Sequence, residues 1–440
     1  MVDCHVGKNM FLIKKPKKID LKTYNRGVNS PQNFYGLPKK ILFCKQCTYT
    51  NQKPNSEQEY KHNINKKKPT LKIQADEICS ACKIQEKKKN IDWDKRKKLL
   101  EKLCDKYRKK NGEFDCIVPG SGGKDSFYAA LKLKEEYGMN PLTVTASPHL
   151  YTDWGRKNFY SWLGSGFSNY LFTPNIKVQR LLTRLSLEKL LHPFQPFIMG
   201  QMYFPPKIAS QLGINLIFYG ENPSEYGNKS SENEVPTKNI NYFTTKNHKN
   251  IFISGLKISD LEKKFKLSKN DLYPYLPLKR KEIGKKLNVQ YLGFYIPWHP
   301  QECYYYASQK GGFEVSPERN VGTYSKYASL DDKMDDLHWY TTFIKFGIGR
   351  ATYDSSQEIR NKEITKEEGL NLVKKYDGEY PARFEKEIFE YLTISQDDYG
   401  DISKLFEKNK MDRNYFNSLC DQFRSPHIWY KENNKWKIRK

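Results

Sequence analysis

The sequence predicts an α/β protein built on a parallel sheet, with a small cysteine-rich module before the sheet and a helical region after it. Residues 114–118 form a short apolar run with β-branched residues, which is typical of a buried strand. A glycine-rich loop and a helical apolar pattern follow at once, and a second apolar run occupies residues 142–146. Strand, helix and strand at this separation predict a right-handed crossover between parallel strands. Two Cys-x-x-Cys pairs precede the first strand and predict the separate module.

Length and composition favour a folded protein of two or three domains. The chain has 440 residues, of which 14% are aromatic, so a disordered chain is excluded. It contains no run of eighteen apolar residues, so we expect no transmembrane helix and no membrane partner. The first residues lack the long apolar segment of a signal peptide, which makes a cytoplasmic protein the default expectation.

The positive charge is concentrated near the start of the chain. Of the net charge of +26, residues 1–110 contribute +18, from 29 Lys and Arg against 11 Asp and Glu. Solvated lysine faces explain such a pattern most simply, and an anionic substrate or an acidic partner subunit is the next explanation. Nucleic acid is therefore not the expected partner.

The segments before the sheet are predicted to be a basic arm, residues 1–40, and a zinc module, residues 41–91. Two Cys-x-x-Cys pairs have the ligand type and pairing of a structural zinc site, in which each tight turn points two thiolates at one metal ion. The polar loop between the pairs could not fold without such a clip. An iron–sulfur cluster uses the same ligands and stays open as the alternative. The four predicted ligands are Cys44, Cys47, Cys79 and Cys82.

The loop after the first predicted strand reads Ser-Gly-Gly-Lys-Asp-Ser. Gly122 and Gly123 let the main chain approach a phosphate, and the following helix directs its positive N-terminal end toward that anion. Ser121 and Ser126 add hydroxyl donors, and Lys124 adds a positive charge. A Walker loop needs Ser or Thr after the Gly-Lys pair, where this chain has Asp125. The loop instead resembles the SGGxDS signature of the PP-loop pyrophosphatases, which cleave ATP between its α and β phosphates.

Polar residues follow two further predicted strands of the domain assigned to residues 92–310. Ser147 follows residues 142–146, and Gly220 and Glu221 follow the apolar run 214–219. Because the carboxyl ends of parallel strands share one edge, we expect these residues beside the loop, with Asn222 and Glu225. The two glutamates could hold a metal ion or a substrate hydroxyl, and capping and turn formation is an equally good explanation.

Residues 311–440 are predicted to be an all-helical C-terminal region. Residues 331–346 have an acidic first turn, as a helix dipole favours, and residues 365–368 form a capping box. Between these helices, Arg350 follows a glycine-rich turn and could bind an anion, although a surface arginine is the commoner explanation.

Together these motifs resemble one family. FDCIVPGSGGKDS, TDWGRKNF, IFYGENPSEYG, YASLDDKMDDLHWY, FIKFGIGRAT and LVKKYDGEYPARF, with the two cysteine pairs, are similar to the N-acetyl sugar amidotransferases of the WbpG and PseA group. The resemblance runs from about Cys44 to about Arg383. It implies a PP-loop domain with an adenine nucleotide α-hydrolase-like, Rossmann-like fold.

The resemblance also implies a reaction. ATP would adenylylate the amide oxygen of an acetamido group on a bacterial surface-polysaccharide or flagellin-glycan sugar, and ammonia would displace AMP to give an acetamidino group. Lys124 and a magnesium ion on Asp125 would be the catalytic groups. The chain shows no glutaminase motif, so the resemblance implies separate glutamine amidotransferase subunits (HisH/HisF-like) as partners. The residues expected to hold ATP are Ser121, Gly122, Gly123, Lys124, Asp125, Ser126, Ser147 and Gly220, and those expected to hold the N-acetylated sugar are Glu221, Asn222, Glu225 and Arg350.

One rival enzyme class fits the same loop. A PP-loop tRNA-modifying enzyme, of the thiolation or lysidine-forming type, would suit the SGGKDS loop, the paired cysteines and the basic N-terminus. Such an enzyme should bind RNA with a steep salt dependence.

Overall fold

The structure is a computed structural model, and it describes residues 35–63, 65–228, 235–283 and 287–439. Its strands are β1 Cys116–Pro119, β2 Pro141–Ala146, β3 Asn169–Phe172, β4 Leu216–Tyr219, β5 Thr244–Thr245, β6 Phe252–Ile253, β7 Leu256–Lys257, β8 Leu278–Lys279, β9 Asn288–Tyr291, β10 Trp429–Glu432 and β11 Lys435–Ile438. Its helices are α1 Ser80–Lys88, α2 Trp93–Tyr107, α3 Lys124–Leu131, α4 Asp153–Gly164, α5 Ile176–Leu190, α6 Gln195–Gln211, α7 Ile258–Phe265, α8 Lys269–Leu272, α9 Leu292–Tyr295, α10 Pro300–Gly311, α11 Met334–Phe346, α12 Arg350–Asn361, α13 Lys366–Tyr376, α14 Glu385–Leu392, α15 Gln396–Tyr399 and α16 Arg413–Phe423.

The main sheet has five strands in the order β3-β2-β1-β4-β9, and every neighbouring pair is parallel. From β1 the chain builds outward through β2 to β3, and it then returns to the other side of β1 to add β4 and β9. The strands that follow β1 in the chain are therefore added first on one side of it, as β2 and β3, and then on the other side, as β4 and β9. In an open parallel sheet, such a reversal opens a crevice at the carboxyl ends of the two central strands, here β1 and β4.

Helices cover both faces of this sheet. Cys116 and Val118 pack on the face that carries α3, α4 and α10, whereas Ile117 packs on the opposite face against α6. All three side chains are fully buried, as expected for a parallel sheet with two covered faces. Because helices cover both faces of the sheet, a ligand can reach it only at the ends of the strands.

The structure confirms the predicted parallel α/β sheet. Strands β1, β2 and β4 occur in the three predicted apolar runs. Strand β3 was not predicted, because Tyr170 and Leu171 are exposed on an edge strand and the apolar signal is weak. Among the described residues, no helix is long and apolar enough to cross a membrane.

The expectation of an all-helical C-terminal region is wrong at its end. Strands β10 and β11 form an antiparallel hairpin, in which Trp429 pairs with Ile438. Asn433 and Asn434 at its tip both have positive φ angles, as a two-residue hairpin turn of type I′ requires. The hairpin packs on α11, where the Trp429 indole donates to the carbonyl of Ile344 at 2.8 Å.

The predicted division into domains stays a prediction. One buried cluster joins Leu182 and Tyr203 of the central region to Ile394 and Phe406 of the C-terminal region. Residues 1–34 of the predicted arm lie outside the described residues, whereas Leu37 is buried against the C-terminal hairpin.

Asp332 fastens the C-terminal region to the carboxyl edge of the sheet. Its buried carboxylate accepts hydrogen bonds from the backbone N–H groups of His149 at 2.8 Å, Leu150 at 3.2 Å and Met334 at 3.0 Å. The His149 ring nitrogen Nδ1 lies 2.6 Å from the same carboxylate. His149, which follows β2, therefore has a structural role. Its contacts with Asp332 hold the start of α11 beside β2.

We expect Asp332→Asn to lower the free energy of unfolding by about 2–4 kcal/mol, because an amide group would then face buried N–H donors. Denaturant unfolding measures this loss. Asp401→Asn is the control, since that side chain is 89% exposed, and it should change stability by no more than about 0.5 kcal/mol. Equal, small effects of the two substitutions would show that Asp332 is not a structural tie.

Candidate functional site

The SGGKDS loop lies at the crevice between β1 and β4. It leaves β1 at Pro119 and enters α3 at Lys124. Gly122 has a φ angle of +88°, and a Cβ atom there would lie 2.7 Å from the carbonyl oxygen of Asn158. Only glycine fits this position, so the loop backbone is shaped by the close packing of α4. The Ser126 hydroxyl donates to the carbonyl of Gly123 at 2.7 Å, so it closes the loop on itself.

Lys124 and Asp125 form an ion pair at the start of α3. The Lys124 Nζ lies 2.7 Å from each carboxylate oxygen of Asp125. Burial would lower the pKa of Lys124, but the charge and hydrogen bond of Asp125, together with other nearby groups such as Glu221, raise it. The lysine therefore stays charged, and binding of phosphate by Lys124 or of a cation by Asp125 has to open this pair.

A cavity of about 470 Å³ opens on one side of the loop. Carboxylates dominate its polar wall, and the charged cations that line it in the described part of the chain are Lys124 and Arg350. The carboxylates come from the loop, from the end of β4 and from the C-terminal region: Asp125, Glu221, Asp331, Asp335, Asp354, Glu358 and Glu363. A wall with this excess of negative charge suits cations and sugar hydroxyls and repels a phosphodiester backbone.

Helix α12 supplies much of this wall. Arg350, Tyr353, Asp354, Gln357 and Glu358 recur at helical spacing and line the cavity. The Arg350 guanidinium stacks 4.8 Å from the Trp339 ring and contacts Asp354 at 2.9 Å. Of these residues, only Arg350 was predicted from the sequence. The polar stripe at intervals of three and four residues is the signal that could have revealed the others.

Burial raises the pKa of several wall carboxyls. The pKa of Glu221 rises to about 8, through burial and then through the charge of Asp125. Burial likewise raises the pKa of Glu358 to about 7 and places the pKa of Asp335 well above its usual value. Glu221 therefore holds a proton at neutral pH and Glu358 is partly protonated there, unless a cation replaces the protons.

A second cavity, of about 310 Å³, lies on the other side of the same loop. It shares Ser121, Gly123, Asp125 and Glu221 with the first cavity. Its remaining walls are mainly apolar and come from the ends of β2 and β4 and from α6: Val144, Ala146, Met202, Phe204, Pro205 and Tyr219. The two cavities therefore offer one apolar and one polar compartment joined at the glycine loop.

The predicted site residues divide into two groups. Ser121, Gly122, Gly123, Gly220 and Glu221 line one or both cavities, as do Lys124, Asp125, Ser126 and Arg350. Ser147 lies beside the cavities without lining them, and its N–H donates to the carbonyl of Phe172 at 2.9 Å.

Two of the predicted sugar-binding residues pack away from the cavities. The fully buried Asn222 caps a short 3₁₀ turn by accepting from the N–H of Ser224 at 3.0 Å. Glu225 pairs with Lys88 of α1 at 3.1 Å. Their geometry matches the capping and packing explanation, because the chain turns sharply after Glu221.

The four predicted metal ligands converge on one point. All four sulfur atoms lie within 4.8 Å of one another, with 3.9 Å between Cys44 and Cys82 and 3.7 Å between Cys47 and Cys79. Ligands about 2.3 Å from one tetrahedral zinc ion lie about 3.8 Å apart. A multi-iron cluster would hold the sulfurs further apart, because metal–metal distances are added. The geometry fits a single zinc ion.

The surroundings of the cysteines also fit a charged metal–thiolate centre. Arg360 lies half-buried beside them, and the charges of Tyr49 and of the nearby cysteines raise its pKa against the effect of burial. Its Nη1 atom has no hydrogen-bond partner among the described residues. A guanidinium in this state needs a diffuse negative charge nearby, which metal-bound thiolates would supply.

The cysteine module and the polar cavity share structural elements. Arg360 belongs to α12, and Thr48 of the module bonds to Ser356 of α12 at 2.8 Å, on the side opposite the cavity. The Ser80 hydroxyl of α1 donates to the carbonyl of Gly227 at 2.9 Å, at the end of the turn that follows Glu221. The cysteine module therefore packs behind two walls of the cavity, which are α12 and the turn after Glu221.

The fold and site define an α/β protein with a glycine-rich loop at the switch point of a parallel sheet, a carboxylate-lined cavity and a buried four-cysteine cluster. Residues 321–440 match the family described as LPS biosynthesis protein WbpG-like, C-terminal domain. The C-terminal part of the chain thus contains a WbpG-like domain, which supports the predicted WbpG/PseA-like relationship. The matched region excludes the SGGKDS loop and the cysteines.

A curated relative covers a small part of the chain. Uncharacterized protein MJ1599 of Methanocaldococcus jannaschii is 35% identical over 82 residues, which make up 19% of this chain and 29% of that protein. The chain thus matches less than a third of the length of this relative.

Cys47→Ser should abolish metal binding at the cysteine cluster, and the module should lose its fold, because binding free energy there is folding free energy. Elemental analysis of wild-type protein purified without oxygen should find zinc. Cys104→Ser, which alters a buried cysteine outside the cluster, should keep the metal. Iron with sulfide in the wild type, or unchanged zinc in Cys47→Ser, would contradict the assignment.

The raised pKa of Glu221 predicts a pH-dependent stability. Its ordinary value is 4.5 and its folded value about 8, so between these values the folded state binds more protons than the unfolded state. The free energy of unfolding should therefore fall as pH rises through this window. Thermal melting between pH 5 and pH 9 should show a smaller decline in Glu221→Gln than in the wild type. Glu314→Gln, on the exposed pair with Lys157, should decline like the wild type, and equal slopes in all three proteins would contradict the prediction.

Proposed function

We propose that the protein is an ATP-dependent amidotransferase that converts an acetamido group of a bacterial surface-glycan sugar to an acetamidino group. The C-terminal match supports a role in polysaccharide biosynthesis. The observation that carries the finer proposal is the shared cavity, in which the SGGKDS loop faces Asp331, Asp335 and Arg350 of the matched region. The SGGKDS loop and the WbpG-like C-terminal domain thus line the same cavity.

The two cavities suit the two substrates. The apolar cavity at the ends of β2 and β4 would take adenosine, and the glycine loop between the cavities would take the phosphates. The polar cavity would take the N-acetylated sugar, with Glu221 and Glu358 as hydroxyl acceptors and Arg350 as the partner for a carboxylate or phosphate on the sugar.

The chemistry needs activation of an amide. An amide carbonyl is a poor electrophile and its oxygen a poor leaving group, so transfer of AMP to that oxygen, with release of pyrophosphate, makes displacement by ammonia feasible. The loop N–H groups and Lys124 would stabilise the negative charge on the departing pyrophosphate. Asp125, with its exposed carboxylate, would hold a magnesium ion that neutralises further charge there.

Proton transfer can be assigned to the wall carboxyls. The attacking nitrogen has to lose protons as AMP leaves. Glu221 and Glu358 have pKa values of about 8 and 7, so both can exchange a proton at neutral pH. Ammonia would come from separate glutamine amidotransferase subunits, and the zinc ion of the cysteine cluster would have a structural role.

Product analysis tests the proposal. With Mg²⁺, ammonium and an N-acetylated sugar, the protein should release AMP and pyrophosphate and lower the sugar mass by one unit. Asp125→Ala should reduce turnover by at least about 100-fold while keeping the wild-type fold, because it removes the magnesium ligand. Asp153→Ala is a matched control on the exposed first turn of α4 and should keep turnover.

Parallel reactions separate the sugar enzyme from the tRNA-modifying enzyme. AMP release should require the sugar and should not respond to added tRNA. Stimulation by tRNA alone would establish the RNA enzyme instead, and release of ADP and phosphate would exclude PP-loop chemistry.

A further inference from the structure

A second group of potential metal ligands lies outside the cysteine cluster. Glu59 and His62 stand at the two ends of a short 3₁₀ turn, in which side chains three residues apart eclipse one another. His192 follows Leu191, whose left-handed conformation ends α5 and turns the chain back toward them. One ligand atom from each of the three residues lies within 4.8 Å of the others.

The distances between these atoms fall on either side of the value for a small coordination site. Oε2 of Glu59 lies 2.7 Å from Nδ1 of His62 and 3.5 Å from Nε2 of His192. Donor atoms about 2.0–2.2 Å from one tetrahedral zinc ion lie about 3.4 Å apart. Glu59 is a buried residue, and its Oε2 accepts no hydrogen bond of normal geometry from the described residues. The three atoms converge on one point, where a metal ion would satisfy the Glu59 oxygen.

The backbone on both sides of the group is fixed. The side chain of Gln195, which is fully buried, donates to the carbonyl of Glu59 at 3.0 Å. The Ser186 hydroxyl donates to the carbonyl of His192 at 2.6 Å. Supporting bonds of this kind hold metal ligands in position before the ion arrives.

We propose that Glu59, His62 and His192 bind a divalent transition metal ion of the zinc class. Two imidazoles and one carboxylate are a donor set that suits zinc, and three protein ligands leave one position for water.

The ammonium group of Lys68 occupies the space in which a metal ion would bind to His62. It lies 2.7 Å from Nε2 and 2.9 Å from Nδ1 of His62. An incoming metal ion has to displace it. Glu57 offers the displaced ammonium a carboxylate, because its buried Oε2 lies 3.7 Å from the same His62 nitrogen and accepts no hydrogen bond from the described residues.

The ion would join two parts of the chain behind the polar cavity. The His192 ring lies 5.3 Å from that of His338, which stacks 4.7 Å from Phe194, a residue of the cavity wall. The site does not open on the cavity itself, so the ion would brace the segment 57–62 against the α5–α6 junction.

Metal counting on the full chain tests the proposal. Wild-type protein saturated with Zn²⁺ and then desalted should retain two ions per chain, and Glu59→Gln, His62→Gln and His192→Gln should each retain one. His248→Gln is the matched control, because that half-buried histidine contacts only the carbonyl of Pro277 among the bonds the structure gives, and it should retain two. In Co²⁺-loaded protein the thiolate charge-transfer bands should be unchanged in His62→Gln, which shows that the remaining ion is the one on the cysteines.

Lys68→Met separates a metal site from a hydrogen-bonded cluster. Removal of the competing charge should tighten Zn²⁺ binding at the second site by at least about tenfold. If Lys68 is instead the permanent cation of the cluster, Lys68→Met would lower the melting temperature and add no metal affinity. That result, or one zinc ion per wild-type chain, would overturn the proposal.

Discussion

The carboxylate of Asp332 is the tie on which the site depends. It collects N–H groups from the end of β2 and from the start of α11, two segments about 180 residues apart in the chain. Because the carboxylate is buried and fully hydrogen-bonded, its removal would leave several donors without partners. The tie places Asp331 and Asp335 beside the glycine loop. Without it, the C-terminal region would not form a wall of the polar cavity.

Two neighbouring parts of the structure concentrate charged groups of opposite sign. The polar cavity concentrates carboxyl groups, whose pKa values are raised first by burial and then by their proximity to one another. Arg360 shows the opposite case, a half-buried cation beside four cysteines. Helix α12 carries both features, with Arg350 and Asp354 toward the cavity and Arg360 toward the cysteines. The cysteine module is thus part of the construction of the site, because α12 joins the cysteines to the cavity wall.

The sequence predicted the parts of the site that local chemistry encodes. The glycine loop, the strand before it and the two cysteine pairs each follow from residue type and spacing, and the structure places them together at the sheet edge or around one point. Asn222 and Glu225 show where this reasoning fails. Their position after a strand predicted a place in the cavity, but the turn at residues 223–226 directs them into the packing against α1. The carboxylates of α11 and α12 could not be assigned either, because their position depends on the long-range contact through Asp332.

In the proposed reaction, the amide oxygen of the sugar becomes the oxygen through which AMP leaves. Isotope transfer tests it directly. A sugar substrate labelled with ¹⁸O in the acetyl carbonyl would be incubated with the protein, ATP, Mg²⁺ and ammonium, and the AMP formed would be analysed by mass spectrometry. The account predicts AMP that is two mass units heavier, with one labelled oxygen on its phosphorus for each acetamidino group formed. Unlabelled AMP beside a labelled sugar product, or beside labelled inorganic phosphate, would contradict it.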